Sequence, residues 1–142
     1  MSPKLALMKA LIADWTRGDI DAVLARMTDD VVWHYAAAVA PPLIGKVKAR
    51  RFLERFKGEI AQVRWRMFDH AESGDRLFAE GVDEYVAKDG AVVAAPYAAV
   101  IEFRGDLICG WRDYVDIGVI EAQKAGEPRS AWLTALIDRP AL

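Results

Sequence analysis

Asp113 lies in the run Gly110-Trp111-Arg112-Asp113-Tyr114-Val115-Asp116, at two-residue spacing from Leu107, Cys109, Trp111, Val115 and Ile117. Residues two apart on a β-strand share a face, so this spacing sets one carboxylate in an otherwise apolar row. A buried acid needs a partner or a raised pKa, and either condition marks a candidate site. A second acid comes from an earlier segment. There Ala79, Gly81, Asp83 and Tyr85 share one face, while Phe78, Glu80, Val82 and Glu84 share the other. The two glutamates assign their face to solvent, which turns Asp83 inward. Two carboxylates in one apolar site cannot both ionise cheaply. One takes a raised pKa and serves as acid, and the other stays charged and serves as base. That pair is the minimum equipment for general acid–base chemistry at neutral pH. Tyr35 and His34 are expected near the rim of the same cavity. The alternative for Asp113 is structural: paired to an arginine, it simply holds the fold.

The elements that must position these residues are legible in the spacing. Leu5, Met8, Ile12 and Trp15 recur at helical intervals after Pro3, and Gly18 stops that helix. Asp19 caps a second short helix through about Met27. Thr28-Asp29-Asp30 reads as a turn into a strand over residues 31–35. A loop with Pro41-Pro42 follows, and Gly45 leads into a third helix ending near Lys57, with Phe52, Leu53 and Phe56 as its apolar stripe. From residue 61 the grammar is that of strands: 61–73, 76–87, 91–103 and 107–118. Gly74-Asp75, Lys88-Asp89-Gly90 and Gly105-Asp106 supply hairpin chemistry between them. Three helices followed by a four-stranded meander predict an α+β fold, a cone of curved, largely antiparallel sheet packed on the helices. Ala91, Ala94, Ala95, Ala98 and Ala99 surround Tyr97, so one strand leaves space on whichever face turns inward. Residues 1–127 read as one domain. Residues 128–142 form a tail whose Trp132, Leu133, Leu136 and Ile137 predict a short helix covering the pocket or an interface.

Composition bounds the partners. Of 142 residues, 19 are basic and 21 acidic, a net charge of -2 that gives no steering toward nucleic acid. The cluster Lys46-Val47-Lys48-Ala49-Arg50-Arg51 reads as the solvated face of a helix. A single cysteine excludes an internal disulfide and a cysteine-built metal site. With two histidines and both central acids already assigned, no metal or other cofactor is expected. No apolar stretch approaches the ~20 residues of a spanning helix. No membrane partner and a cytoplasmic location follow as expectations.

The helix order, the Tyr35-to-Gly45 loop with Pro41-Pro42, the Gly81-Val82-Asp83 strand and the Gly-Trp-Arg-Asp-Tyr-x-Asp ending together resemble the limonene-1,2-epoxide hydrolase family. That family lies in the SnoaL-like branch of the nuclear transport factor 2-like superfamily, which also contains ketosteroid isomerase. The resemblance spans most of residues 3–122. It implies a cystatin-like roll, often paired as homodimers through the sheet. It also implies a water-activating role for Asp113, an epoxide-protonating role for Asp83 and a water-holding role for Tyr35. Two positions depart from the family pattern. Gly81 stands where the family has an arginine bridging the acids, and Ala37 stands where it has an asparagine. A guanidinium between two carboxylates lowers both pKa values and fixes their orientation, so its loss should raise at least one. Loss of the asparagine removes a hydrogen bond that aims water, and misplacement by about 1 Å can cost on the order of 100-fold.

Trp33, Trp65, Tyr85, Tyr97 and Trp111 are expected to line the pocket, which suits a hydrophobic molecule of terpene or small polyketide size. The first functional reading is a cofactor-independent acid–base enzyme that opens an epoxide on such a molecule. An isomerase or cyclase, with Asp83 or Tyr97 donating to an enolate oxygen, is the alternative within the enzyme class. A noncatalytic small-ligand-binding protein and a protein-interaction adaptor are the alternatives outside it.

Overall fold

Ser2 opens the first helix, α1 (Pro3–Thr16), by accepting a hydrogen bond from the Leu5 N–H at 3.1 Å, with Pro3 in the first turn. The computed structural model describes all 142 residues. Asp19 caps α2 (Ile20–Ala25) in the same way through the Ala22 N–H. The third helix, α3 (Lys46–Glu59), follows Gly45, whose φ of 90° lies in the region that favours glycine. Arg50 and Lys46 on α3 pair with Asp21 and Asp29 at its solvated face. No helix is long and apolar enough to cross a membrane.

Six strands form one mixed sheet: β1 (Met27–His34), β2 (Leu43–Ile44), β3 (Ile60–Ser73), β4 (Arg76–Ala87), β5 (Val92–Arg104) and β6 (Leu107–Val115), in the order β2-β1-β6-β5-β4-β3. Every neighbouring pair is antiparallel except β1 with β6. The main core lies between this sheet and the N-terminal helices, where Met8, Leu11, Val31, Leu77, Ile101 and Ile108 are almost fully buried. Burying side chains of this kind contributes roughly 1.5–3 kcal/mol each.

Four details differ from the sequence reading. First, β1 begins at Met27, so Thr28-Asp29-Asp30 is extended rather than a turn. Its register against β6 jumps between Met27 and Val32, and the exposed Asp29 and Asp30 occupy that irregular stretch. Second, β6 carries a bulge: Glu102 pairs with Gly110 and Phe103 with Ile108. Ile108 therefore joins Trp111 in the core, whereas Leu107 and Cys109 leave the row that holds Asp113. Third, β6 stops at Val115. Asp116 caps α4 (Ile117–Lys124) by accepting from the Val119 N–H, so residues read as the end of a strand begin a helix.

The fourth difference concerns the outer face of the sheet. A further helix, α5 (Ala131–Ile137), capped by Ser130, packs there through Leu133 and Ile137 against Phe68, Val82 and Ala94. Glu84 does turn away from the core, but it is buried under this tail rather than solvated. Arg66 and Arg129 donate to its two oxygens at 3.0 and 3.1 Å, and Arg66 also reaches the Ile137 carbonyl at 3.0 Å. The resemblance implies pairing of copies through the sheet; the structure covers the β3–β5 part of its outer face with the chain's own tail.

Candidate functional site

Strand β5 is the floor of a cavity between the sheet and the N-terminal helices. Ala95, Tyr97 and Ala99 share its inner face. In the ladders Ala95 pairs with Asp83 on β4, Tyr97 with Gly81 on β4 and Val115 on β6, and Ala99 with Asp113 on β6. The two acids thus rise from the strands flanking β5, one on each side, with small alanines beside them. The cavity has a volume of about 280 Å³ and 21 lining residues, all apolar or aromatic except Asp83, Asp113 and Lys124. Trp33, Tyr35, Trp65, Tyr85, Tyr97 and Trp111 all line it. Phe52 and Phe56 of α3 close one wall, and Ile117, Ile120 and Lys124 of α4 stand at its edge. Tail helix α5 contributes no lining residue.

Burial without a counter-charge governs both acids. Asp83 has no hydrogen-bond partner, and burial raises its pKa from 3.8 to about 6. Asp113 is raised from 3.8 to about 7 by burial and by the charge of Asp83, against the opposing pull of the Trp111 and Trp33 N–H groups. Trp111 Nε1 donates to Asp113 Oδ1 at 2.8 Å. The Trp33 N–H favours charge on Asp113 too, but its geometry falls short of a hydrogen bond, and Nε1 is buried with no partner. The value for Asp113 includes repulsion from a charged Asp83, which vanishes when Asp83 holds the proton. The pair therefore shares one proton near neutral pH. The indole N–H, which can only donate, favours leaving the charge on Asp113.

Arginine pairing, the structural alternative for these acids, occurs elsewhere in the chain and not here. Asp14 is buried between Arg17 and Arg26, each at 2.6 Å, and Glu84 between Arg66 and Arg129. Burial opposes ionisation at both positions, yet the guanidiniums prevail and hold both pKa values below the ordinary range. No guanidinium reaches Asp83 or Asp113. Arg66 serves the outer face, Arg64 is exposed, and Arg112 donates to Glu102 at 2.8 Å.

Gly81 has a steric reason that its sequence position does not disclose. A Cβ there would collide with the Arg66 carbonyl oxygen and stand 2.5 Å from the Tyr97 hydroxyl. Tyr97 thus crosses directly over Gly81 and fills the space where the resemblance implies an arginine side chain would start. Trp65 Nε1 donates to the Tyr97 hydroxyl at 2.9 Å. The only acceptor within the protein for that hydroxyl's own proton is the Arg66 carbonyl, at 3.5 Å. Burial and the two acids together push the Tyr97 pKa up, so it stays a neutral donor.

The remaining candidates separate clearly. Tyr35 follows β1, packs on Phe52 with ring centroids 4.4 Å apart, and makes no side-chain hydrogen bond within the protein. Ala37 lends its backbone N–H to the Asp113 carbonyl at 2.9 Å, which ties the loop to β6. His34 lies opposite Arg112, and His70 lies 3.8 Å from Glu72; neither lines the cavity. No three His, Cys, Asp or Glu side chains converge as a ligand set for a metal ion. The α4 contributions escape the sequence reading, although Asp116 three residues before Val119 was the available cap signal.

Solved structures share this architecture. An LEH-like epoxide hydrolase from M. tuberculosis is 19% identical, with 94% of each chain covered and a TM-score of 0.75. A protein with a ketosteroid isomerase-like fold from Catenulispora acidiphila is 24% identical, covering 86% of this chain and 93% of that one, at a TM-score of 0.74. A candidate SnoaL-like polyketide cyclase from Shewanella putrefaciens is 15% identical, covering 89% and 99%, at 0.78. At such identities the likeness establishes the fold alone, which hosts several chemistries. Comparison with curated proteins gives no match. The SnoaL-like domain model, however, matches residues 8–111, most of the chain, including β4 with Asp83 and ending two residues before Asp113, and the protein belongs to that family.

Proposed function

We propose that this protein is a cofactor-independent acid–base enzyme acting on a small, mostly apolar substrate. The observation that carries this reading is the pair Asp83 and Asp113, open to one apolar cavity with no ion pair to either. At about 30 Å³ per water-sized group, 280 Å³ admits about nine such groups. That is the size of a small cyclic hydrocarbon carrying one or two oxygens.

Epoxide ring opening by water is the first reading. Asp113 takes a proton from water as the hydroxide oxygen bonds to an epoxide carbon. The carbon–oxygen bond breaks, and the proton of Asp83 passes to the departing oxygen. A diol results, and the proton on Asp113 returns to Asp83 through solvent. Tyr35 helps to hold the water. A second reading rests on Tyr97, whose hydroxyl already accepts from Trp65 and so has its proton to give. In that version Asp113 moves a proton between two carbons of an enone while Tyr97 and Asp83 stabilise the enolate oxygen.

Small cyclic epoxides and cyclic enones, assayed for diol formation and double-bond migration, test both. Asp113→Asn and Asp83→Asn should fold at neutral pH and lose about 10²–10⁴-fold in kcat/KM on whichever panel is turned over. Unchanged turnover in either variant overturns the assignment of that acid. Tight binding with no turnover of any member would instead support the ligand-binding alternative.

A further inference from the structure

We propose that the cavity binds a small tertiary ammonium ion, held by Asp83 and Asp113 together against the aromatic wall. Neither oxygen of Asp83 has a hydrogen-bond partner, and on Asp113 only Oδ1 accepts one, from Trp111. Unlike the Trp33 Nε1 atom, which is shut off from water, the three free oxygens are open to a group entering the cavity. The other buried acids, Asp14 and Glu84, each lie between two arginines, so an unpaired pair of carboxyls is the exception in this molecule. A proton relieves the pair of one charge; a cation from outside, set between the acids, offsets both.

The walls select the kind of cation. Trp65 lies opposite Asp83 in the β3–β4 ladder, Trp111 stands two residues before Asp113, and Trp33 lies opposite Trp111. The rings of Trp33, Trp111, Trp65 and Tyr97 follow one another at centroid separations of 6.4, 5.9 and 6.5 Å. Aromatic surfaces attract weakly hydrated organic cations. A hard metal ion asks instead for about six or more oxygens, which two carboxyls in an apolar wall do not supply. A tertiary ammonium meets both features, because its single N–H donates to a carboxylate and its alkyl groups meet the rings. A primary ammonium would leave N–H groups against apolar walls. The inference rests on the reading that this cavity receives the ligand, and it does not depend on turnover. A bound ammonium holds Asp83 ionised and so opposes the protonated acid that ring opening uses.

The other titratable groups on the cavity are Tyr35, Tyr85, Tyr97 and Lys124. Burial raises Tyr85 and Tyr97 further from neutrality, and Lys124 stands exposed at the edge, where solvent screens its charge. Calorimetric titration with N,N-dimethylcyclohexylamine tests the proposal, with cyclohexyl methyl ketone as a neutral control of the same size. Aliphatic amines titrate near pH 10, so the probe stays charged from about pH 5 to about pH 8. Over that range its affinity should rise by about 10-fold or more, and that of the ketone should not. Apparent pKa values of about 6 and 7 leave only about one pair in ten charged at about pH 5. At about pH 6 amine binding should release protons, read from the heats in buffers of different ionisation enthalpy. Asp83→Asn and Asp113→Asn should each weaken the amine by about 10-fold or more at about pH 8, the range of one charge-assisted hydrogen bond, and should not weaken the ketone. If a variant does not fold, the pH profile and proton release of the native protein carry the test. Amine affinity that is flat with pH, no tighter than the ketone at about pH 8, or indifferent to both substitutions overturns the proposal. Binding of the ketone alone overturns the ammonium and leaves the cavity reading standing; failure of both probes overturns the two together.

Discussion

Asp83→Asn should stabilise the protein in alkaline solution and leave it nearly unchanged in acid. Burial raises the Asp83 pKa from 3.8 to about 6, and no other influence on it is of comparable size. At about 1.4 kcal/mol per tenfold, ionising this carboxyl inside the fold costs about 3 kcal/mol more than in the unfolded chain, and about 2 kcal/mol if water enters the mouth. The sign follows from linkage. Below about pH 4 the carboxyl is protonated in both states and carries no penalty. Between about pH 4 and 6 the unfolded chain releases the proton while the fold keeps it, so stability falls as pH rises, and above about pH 6 the penalty is complete. Asparagine keeps the shape and removes the charge. It also relieves the repulsion that raises Asp113, which acts in the same direction. Urea unfolding of both proteins at about pH 4 and pH 8 should show a difference near zero and then about 2–3 kcal/mol in favour of the variant. For a chain of this size that corresponds to about 5–10 °C in Tm. Equal effects at both pH values, or destabilisation at pH 8, would refute the claim that Asp83 is an unpaired buried charge. A gain in stability with loss of turnover is the signature of an acid retained for function rather than for folding.

For the enzyme reading, kcat/KM should follow a narrow bell, rising with an apparent pKa of about 6 and falling with one of about 7. Its maximum lies near pH 6.5, and activity at about pH 8.5 should be about 20-fold lower; a flat profile from pH 5 to 9 would separate the acids from the rate-limiting step. Gly81→Ala should cost about 1–3 kcal/mol by driving a Cβ into the Arg66 carbonyl oxygen and the Tyr97 side chain. Adding Tyr97→Phe should leave most of that loss in place, because the Arg66 carbonyl and the ring carbon remain, as a double-mutant cycle would measure. Glu84→Ala leaves Arg66 and Arg129 facing each other under α5 and should cost about 2–3 kcal/mol in urea unfolding, at or below the range for a broken buried pair because both guanidiniums are partly solvated. Deleting residues 128–142 bares Phe68, Val82 and Ala94. The shortened chain should bind a hydrophobic dye and self-associate in sedimentation while keeping its affinity for cavity probes.

Local grammar carried much of the architecture. Ser2, Asp19 and the Gly-Asp turns mark their elements because capping and turn chemistry act over three or four residues. The alternation of β4 placed Asp83 on the inner face because that strand pairs with β5 without a register shift. The same rule failed on β6, where one bulge at Cys109 reverses the parity for Leu107 and leaves it intact only from Trp111 onward. Helix α4 was hidden because Ile117, Val119 and Ile120 suit a strand as well as a helix, and only the Asp116 cap decides between them. Glu84 was misread because polarity alone cannot reveal two arginines, 18 residues before it and 45 after it. The identity of Gly81 was visible, but its cause is a tyrosine 16 positions later on the adjacent strand.

Beyond the end of β6, strand β5 has no neighbour on that side, and Gln123 of α4 takes the place of one. Its amide accepts from the Ala94 N–H at 2.9 Å and donates to the Ala94 carbonyl at 2.7 Å. Helix α4 is therefore fastened to main chain, which every residue type shares, rather than to a particular side chain. Of the residues it presents to the cavity, Ile120 is the i,i+3 neighbour of Gln123, whereas Ile117 and Lys124 lie further round the helix. Ile117 and Lys124 can then change by mutation without loosening the Gln123 contact or disturbing the two acids on the sheet. Under the enzyme reading, laboratory selection for new ligands should accumulate changes at 117 and 124 sooner than at 120, which neighbours Gln123, while retaining Gln123.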